Sequence, residues 1–308
     1  MNRRELLKAL GATTATSFLP CFSQAASSPK HNGSFEYCLN MATIRGHHLG
    51  FVKELEVASD AGFKAAEIWI DSLQAYLNKG GTLKDAQKRL NDLDVKVENA
   101  IGFAEWIVDD DAKRKAGLEQ MKREMDMLAQ IGCKRTAAPP IGATDTTVLD
   151  LKKVAERYKA ILKIGNTAGV VPQLEMWGFS KNLSRVSDVM YVALESGQPS
   201  AKILLDIFHL YKGGSSIDTL PLISKSALDI LHVNDYPVNL SASAITDADR
   251  IYPGDGVAPL RRVLQILKNP ARPLIISCEV FNKNYYSQDA LVVAKTALSK
   301  MMAVTEGI

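Results

Sequence analysis

The sequence predicts a single (β/α)8 barrel, on three observations. Short apolar runs alternate with helical patterns eight times over about 275 residues, the alternation of a parallel βα fold. Glycine punctuates it at matching places: Asp60-Ala-Gly-Phe, Gln130-Ile-Gly-Cys, Thr167-Ala-Gly-Val and Glu195-Ser-Gly-Gln each read as helix, glycine, strand. A glycine there can take the left-handed conformation that ends a helix before a short loop. The rival architecture, an open doubly wound sheet, lacks its phosphate loop, because no G-x-G-x-x-G follows the first strand and no G-x-x-x-x-G-K occurs.

Taken in order, residues 1–26 read as a twin-arginine-type export signal. Arg3-Arg4 precede Leu6-Leu7-Lys8, a weakly apolar run from Ala9 to Leu19 follows, and small residues come after it. The reading implies recognition by the twin-arginine translocase and a periplasmic location. Residues 27–33 form a polar linker, and 34–308 the barrel. Strands are expected over 35–40, 63–70, 95–101, 133–138, 170–175, 201–206, 227–234 and 274–279. Helices are expected over 49–61, 83–93, 111–131, 148–167, 183–195, 259–267 and 289–304, with a short one near Leu220 and a long loop over 235–257. Residues 111–131 give the clearest helix, with Leu118, Met121, Met125 and Leu128 on one face and charges on the other.

Charge excludes some partners. The chain carries a net charge of +3, and loss of residues 1–25 removes three basic and one acidic residue, leaving +1. Neither nucleic acid nor a membrane surface finds a basic footprint there. No run after the signal is long enough to span a membrane. Cys38, Cys133 and Cys278 lie in or beside apolar runs and read as small buried residues rather than a disulfide framework. The oligomeric state stays open, a homo-oligomer included.

The chemistry sits at the ends of the last four strands. These carry Glu175 in Gln-Leu-Glu-Met-Trp, Asp206 in Leu-Leu-Asp-Ile-Phe-His, His232 in Leu-His-Val-Asn-Asp and Glu279 in Ser-Cys-Glu-Val-Phe-Asn. In a closed barrel, C-terminal strand ends converge above one mouth. Three carboxylates in one dry place repel, and a divalent cation resolves that. Three oxygens and one imidazole suit Mn²⁺ first, with Mg²⁺ or Co²⁺ as the other candidates. The bland alternative for each is a helix cap or a satisfied core residue, an even choice for Asp206 and His209 taken alone, but four such residues on successive strand ends favour the ligand reading of Asp206. Trp177, with Trp69 and Trp106, offers aromatic faces for a sugar ring. Lys212 is placed to reach an anionic or carbonyl group. His47-His48 and Tyr285-Tyr286 are polar and aromatic pairs near the mouth, the latter read as a lid.

With these four strand ends the chain resembles the xylose-isomerase-like TIM-barrel family of sugar isomerases and epimerases, which includes ketose 3-epimerases, inosose dehydratases and endonuclease-IV-type enzymes. The resemblance implies metal binding by Glu175, Asp206, His232 and Glu279, with Glu175 and Glu279 as the acid/base pair. It implies substrate contacts from His209, through Asp206-x-x-His209, and from Arg250, which precedes Pro-Gly-Asp-Gly. The expected activity is a metal-dependent isomerisation or epimerisation of a non-phosphorylated sugar or keto-sugar through an enediolate. Elimination or hydration of a 3-keto-glycoside or inosose is the alternative chemistry, and a metal-containing sugar-binding protein without turnover the alternative class. A metal-dependent endonuclease is disfavoured by charge and compartment.

Overall fold

Eight apolar runs become the strands of one parallel sheet in a computed structural model that describes residues 33–308. The expected signal (1–26) and all but the last residue of the linker (27–33) lie outside the described residues. The strands are β1 (Phe35–Asn40), β2 (Ala65–Trp69), β3 (Lys96–Ile101), β4 (Arg135–Ala138), β5 (Val171–Glu175), β6 (Lys202–Asp206), β7 (Leu228–Val233) and β8 (Leu274–Cys278). Their order is β3-β2-β1-β8-β7-β6-β5-β4, and every ladder is parallel. The end strands meet through side chains. Thr136 Oγ1 donates to the Ala100 carbonyl (3.1 Å) and Arg135 Nη1 to that of Glu98 (3.3 Å). The sheet thus curls into a nearly closed barrel with helices outside, the (β/α)8 architecture that the alternation predicts.

A strand sends alternate side chains to opposite faces. One set, Cys38, Ala65, Ile101, Ala137, Leu204, Ile230 and Ile275, packs together inside the barrel. The other joins the helices in the larger core, which includes Leu39, Ile68, Leu174, Leu205 and Ile276. Cys38, Cys133 and Cys278, the cysteines among the described residues, are buried and free. At the N-terminal end of the barrel Asp229 accepts from Arg135 Nε (3.0 Å), Lys202 Nζ (3.1 Å) and Arg272, while Arg135 also pairs with Glu98 (2.8 Å). No helix among the described residues is long and apolar enough to cross a membrane.

The helices follow their caps. Asp110 accepts from Lys113 N and starts Asp111–Gln130, and Asp150 accepts from Lys152 N and starts Leu151–Ala168. Gly62 and Gly169, at φ 99° and 74°, end Phe51–Ala61 and Leu151–Ala168 as the quasi-repeat requires. Other boundaries differ from expectation. Strand β2 stops at Trp69 and runs straight into a helix, Ile70–Asn78, so Asp71 lies on that helix and pairs with Arg45 (2.5 Å). A 3-10 turn, Met41–His47, follows β1 directly. The expected helix over 183–195 starts only at Val186, because Leu183 has a positive φ. The long loop after β7 is internally tied. Asp235 and Ile251 form an antiparallel bridge, and Asp247–Asp249 make a 3-10 turn.

Candidate metal centre at the barrel mouth

Period-two alternation assembles the site. Inward positions are apolar low in the barrel and polar at the C-terminal end: Cys38 gives way to Asn40, Ala65 to Glu67, Leu204 to Asp206, Ile230 to His232, and Ile275 to Ser277 and Glu279. Register sets neighbours level, Asn40 with Glu67, Asp206 with His232, and His232 with Ser277. All of these polar residues are buried.

The four expected ligands meet around one nitrogen. His232 Nδ1 lies 3.2 Å from Glu279 Oε2, 3.7 Å from Asp206 Oδ2 and 4.0 Å from Glu175 Oε1. Asp206, His232 and Glu279 each offer a ligand atom within 4.8 Å of the others, and Glu175 stands beside them. His232 Nδ1 and Glu175 Oε2 are buried without a hydrogen-bond partner. Orphaned atoms of this kind in a dry cluster of hard donors fit a divalent cation.

Electrostatics agrees. Burial works against a charged imidazole, yet Glu67 and Glu279 outweigh it and raise His232 well above the ordinary histidine range. The pocket therefore calls for positive charge at Nδ1, as a proton or as a metal ion. The two glutamates are pushed apart. Burial drives Glu175 up to about 8, against the pull of His232. Burial also opposes ionisation of Glu279, but His232 and Arg250 hold it below the ordinary carboxylate range. The two carboxyls therefore differ in how readily they ionise.

Arg250 and His209 complete the inner wall. The Arg250 guanidinium, 1% exposed, donates through Nη1 to Asp206 Oδ2 and Glu279 Oε2, both at 2.8 Å, and through Nη2 to Asp247. Its Cζ lies 4.3 Å from the Phe208 ring centroid and 5.2 Å from that of Phe281. A guanidinium can only donate. His209 Nε2, 3.2 Å from Arg250 Nη2, is therefore the accepting nitrogen, and Nδ1 carries the hydrogen. Nδ1 is buried and has no partner, so a donor is left free for a ligand oxygen. Burial, with Arg250 and His232 against Asp206, pulls His209 down to about 3 and keeps it neutral. Asp206 also accepts from His209 N (3.0 Å), so it caps Ile207–Lys212 while facing the centre.

Aromatic rings form a continuous arc that ends on His209. Phe281, Trp69, Phe103, Trp177, Phe179 and His209 follow one another at centroid separations of 6.3, 5.2, 6.4, 5.3 and 5.6 Å. Trp177 stands in the middle of this arc, and Phe103 and Phe179 are its exposed rim. Trp106, by contrast, is fully buried packing, with Nε1 on the Pro139 carbonyl (2.9 Å).

Several expected groups are spent elsewhere. Lys212 Nζ donates to the carbonyls of Ser243 (3.0 Å) and Ile245 (2.8 Å), tying its helix to the long loop instead of turning to the centre. His47 sits between the Ile44 and Gln288 carbonyls. The lid reading of Tyr285 and Tyr286 gives way to packing: Tyr285 stacks on Tyr252 at 4.0 Å, and Tyr286 donates to the Ala42 carbonyl. Sequence reasoning missed Asn40, Glu67, Asn99 and Asn234. Asn234 Nδ2 donates to both Asp206 oxygens (3.2 and 3.1 Å). For Glu67 a signal was present: it is a carboxylate inside an apolar strand, at the same parity as Trp69.

Comparison with known proteins bears on the same architecture. The family model described as "Xylose isomerase-like TIM barrel" matches residues 55–301. The inosose isomerase of Halalkalibacterium halodurans is 29% identical over 270 residues, covering 84% of this chain and 93% of that protein. The inosose isomerase of Bacillus velezensis is 27% identical over 277 residues, covering 87% and 96%. Among solved structures, the IOLI protein with a bound zinc atom superposes with a TM-score of 0.80 at 22% identity, over 88% of this chain and 98% of that one, a likeness of fold.

Proposed function

The chain belongs to the xylose isomerase-like TIM barrel family, and on that premise we propose that it is a divalent-metal-dependent isomerase or epimerase of a neutral keto-sugar or inosose-type cyclic ketone. The observation that carries the proposal is the orphaned His232 Nδ1 between Asp206, Glu279 and Glu175. These four residues would hold the ion, with Mn²⁺ as first choice from the oxygen-rich donor set and Mg²⁺ or Co²⁺ next. The zinc in the IOLI structure supports a divalent ion without deciding which.

A bound divalent ion supplies Lewis acidity, which lowers the barrier to removing a proton beside a carbonyl. The protein's part is proton management. Glu279, beside the Arg250 guanidinium, takes the proton from the carbon next to the carbonyl, and the electron pair moves onto oxygen to give an enediolate. Glu175, whose affinity for a proton is raised by burial, returns a proton from its carboxyl. Return to the opposite face of the same carbon inverts it, and return to the neighbouring carbon exchanges ketone and hydroxyl. His209 Nδ1–H orients a substrate oxygen, and the Trp177 arc covers the apolar face of the ring. The inosose isomerases among its relatives support a cyclic keto-polyol as substrate.

The test is isotope exchange. Inososes and free ketoses incubated in D₂O with Mn²⁺ should take up deuterium beside the carbonyl, and Glu175→Gln or Glu279→Gln should reduce the rate at least about 100-fold. Tight binding with no exchange across the panel would instead make this a binding protein, and an unsaturated product would make it a lyase. We also propose export by the twin-arginine route, from Arg3-Arg4 and the weakly apolar run behind them. Replacing both arginines by lysine should leave the precursor in the cytoplasm, and unchanged export would overturn the reading.

A further inference from the structure

We infer that Glu67 is the positioning residue of the metal centre: it fixes the His232 ring so that Nδ1, and not Nε2, is the ligand nitrogen. The inference rests on the metal-centre reading above and goes beyond its four ligands.

Glu67 lies on β2 and is wholly buried. Its two oxygens meet four donors. Oε1 accepts from Asn99 Nδ2 (2.6 Å) and lies 3.0 Å from His232 Nε2; Oε2 accepts from Ser277 Oγ (2.6 Å) and Asn40 Nδ2 (2.9 Å). A carboxylate has about four lone-pair positions, so this one is filled. It therefore has no oxygen left for a cation, although it sits among the ligands. An ionised carboxylate only accepts, so His232 Nε2 must bear the hydrogen, and Nδ1 is then the nitrogen whose lone pair is free for an ion once its own proton is displaced, on the side of Asp206, Glu279 and Glu175.

The contact is not a sheet-neighbour accident. Strands β1 and β8 lie between β2 and β7 in the ladder, so the Glu67–His232 bond crosses the barrel interior. The same layer also steadies a ligand carboxylate, because Asn40 Nδ2, besides holding Glu67, donates to Glu279 Oε1 (3.0 Å). Asn40, Asn99 and Ser277 thus come from three further strands to hold one carboxylate, and that carboxylate holds the imidazole. A carboxylate behind a ligand histidine sets ring orientation and strengthens the ligand, typically by 10–100-fold in metal affinity.

The experiment uses the full chain and its Glu67→Gln variant, titrated with Zn²⁺, which is diamagnetic. Calorimetry should show the variant binding about 10–100-fold more weakly. Histidine-labelled ¹⁵N correlation spectra of the zinc-loaded wild type should show the His232 hydrogen on Nε2, with His232→Asn identifying the signal. A hydrogen on Nδ1, or equal affinity in the two proteins, would overturn the inference. The wild-type spectrum decides even if the variant does not fold. A wild type that binds no divalent ion would instead sink the metal-centre reading, so the two failures are distinguishable.

Discussion

Arg250 Nη1 stands 2.8 Å from Asp206 Oδ2, and through the same nitrogen it reaches Glu279 Oε2. A permanent cation therefore sits against two of the carboxylates that would hold a metal ion. It offsets their mutual repulsion when the protein is metal-free, and it lowers the potential that draws a second cation in. Two unit charges about 4 Å apart interact by roughly 4 kcal/mol at an effective dielectric of 20. Even a part of that is a large factor in affinity. Arg250→Gln should tighten Mn²⁺ binding at least about tenfold, read by calorimetric titration, while turnover falls. Weaker binding would show that Arg250 orients the two carboxylates more than it repels the ion.

Asp235 governs the loop that delivers this arginine. Its carboxylate accepts from the backbone N–H groups of Tyr236, Gly254, Gly256 and Ala258, at 2.8, 3.1, 3.0 and 2.8 Å. A Cβ on Gly256 would lie 2.5 Å from Asp235 Oδ1 and 2.2 Å from the Tyr236 carbonyl, so the turn closes only around glycine. Asp235→Asn puts an amide NH₂ against two of the four donors. Unfolding titrations should show a loss of about 2 kcal/mol. The Michaelis constant should rise as well, since Arg250 lies within the segment pinned by the Asp235–Ile251 bridge.

Two tryptophans with the same sequence-level promise should part company. Trp177→Ala removes the centre of the aromatic arc and should raise the Michaelis constant about tenfold or more, with a smaller change in turnover. Trp106→Phe should leave the kinetics alone and lower the melting temperature, because Trp106 is buried packing bonded to Pro139. Steady-state kinetics and thermal melts of both variants check the pair.

A pH-dependent stability term lies at the far end of the barrel. Burial opposes ionisation of Asp229, but Arg135, Lys202 and Arg272 hold its carboxyl below the ordinary aspartate range. A depressed folded-state value means stability that is complete above the unfolded-state value and is lost as pH falls through the folded one. Asp229→Asn should cost roughly 3 kcal/mol at pH 7, the lower end for breaking a largely buried pair. The gap between wild type and variant should close as the pH is lowered through and below the aspartate range. Urea unfolding from pH 7 downward measures it, and a gap independent of pH would exclude the ionic account.

That Glu175, Asp206, His232 and Glu279 would meet could be read from the chain because each ends an apolar run, and closure of a barrel is enough to bring such ends together. Their supports could not. Glu67 and His232 are 165 positions apart, and nothing local marks them as partners. Lys212 looked available because it follows His209 by three residues. The path of the loop past Ser243 and Ile245 decided otherwise. Tyr285 and Tyr286 resembled a lid for the same reason, polarity near the mouth, until packing against Tyr252 and Ala42 absorbed them.

The chain by itself determined the barrel, the strand ends and the residue types at the mouth, since these follow from alternation, glycine placement and the cost of burying charge, all of which act over a few residues. Only the tertiary structure decided which nitrogen of His232 faces the carboxylates, what holds Glu67, and where Arg250 and Lys212 spend their hydrogen bonds. Those choices depend on donors and acceptors from distant strands and loops meeting within about 3 Å, a condition that no local pattern encodes.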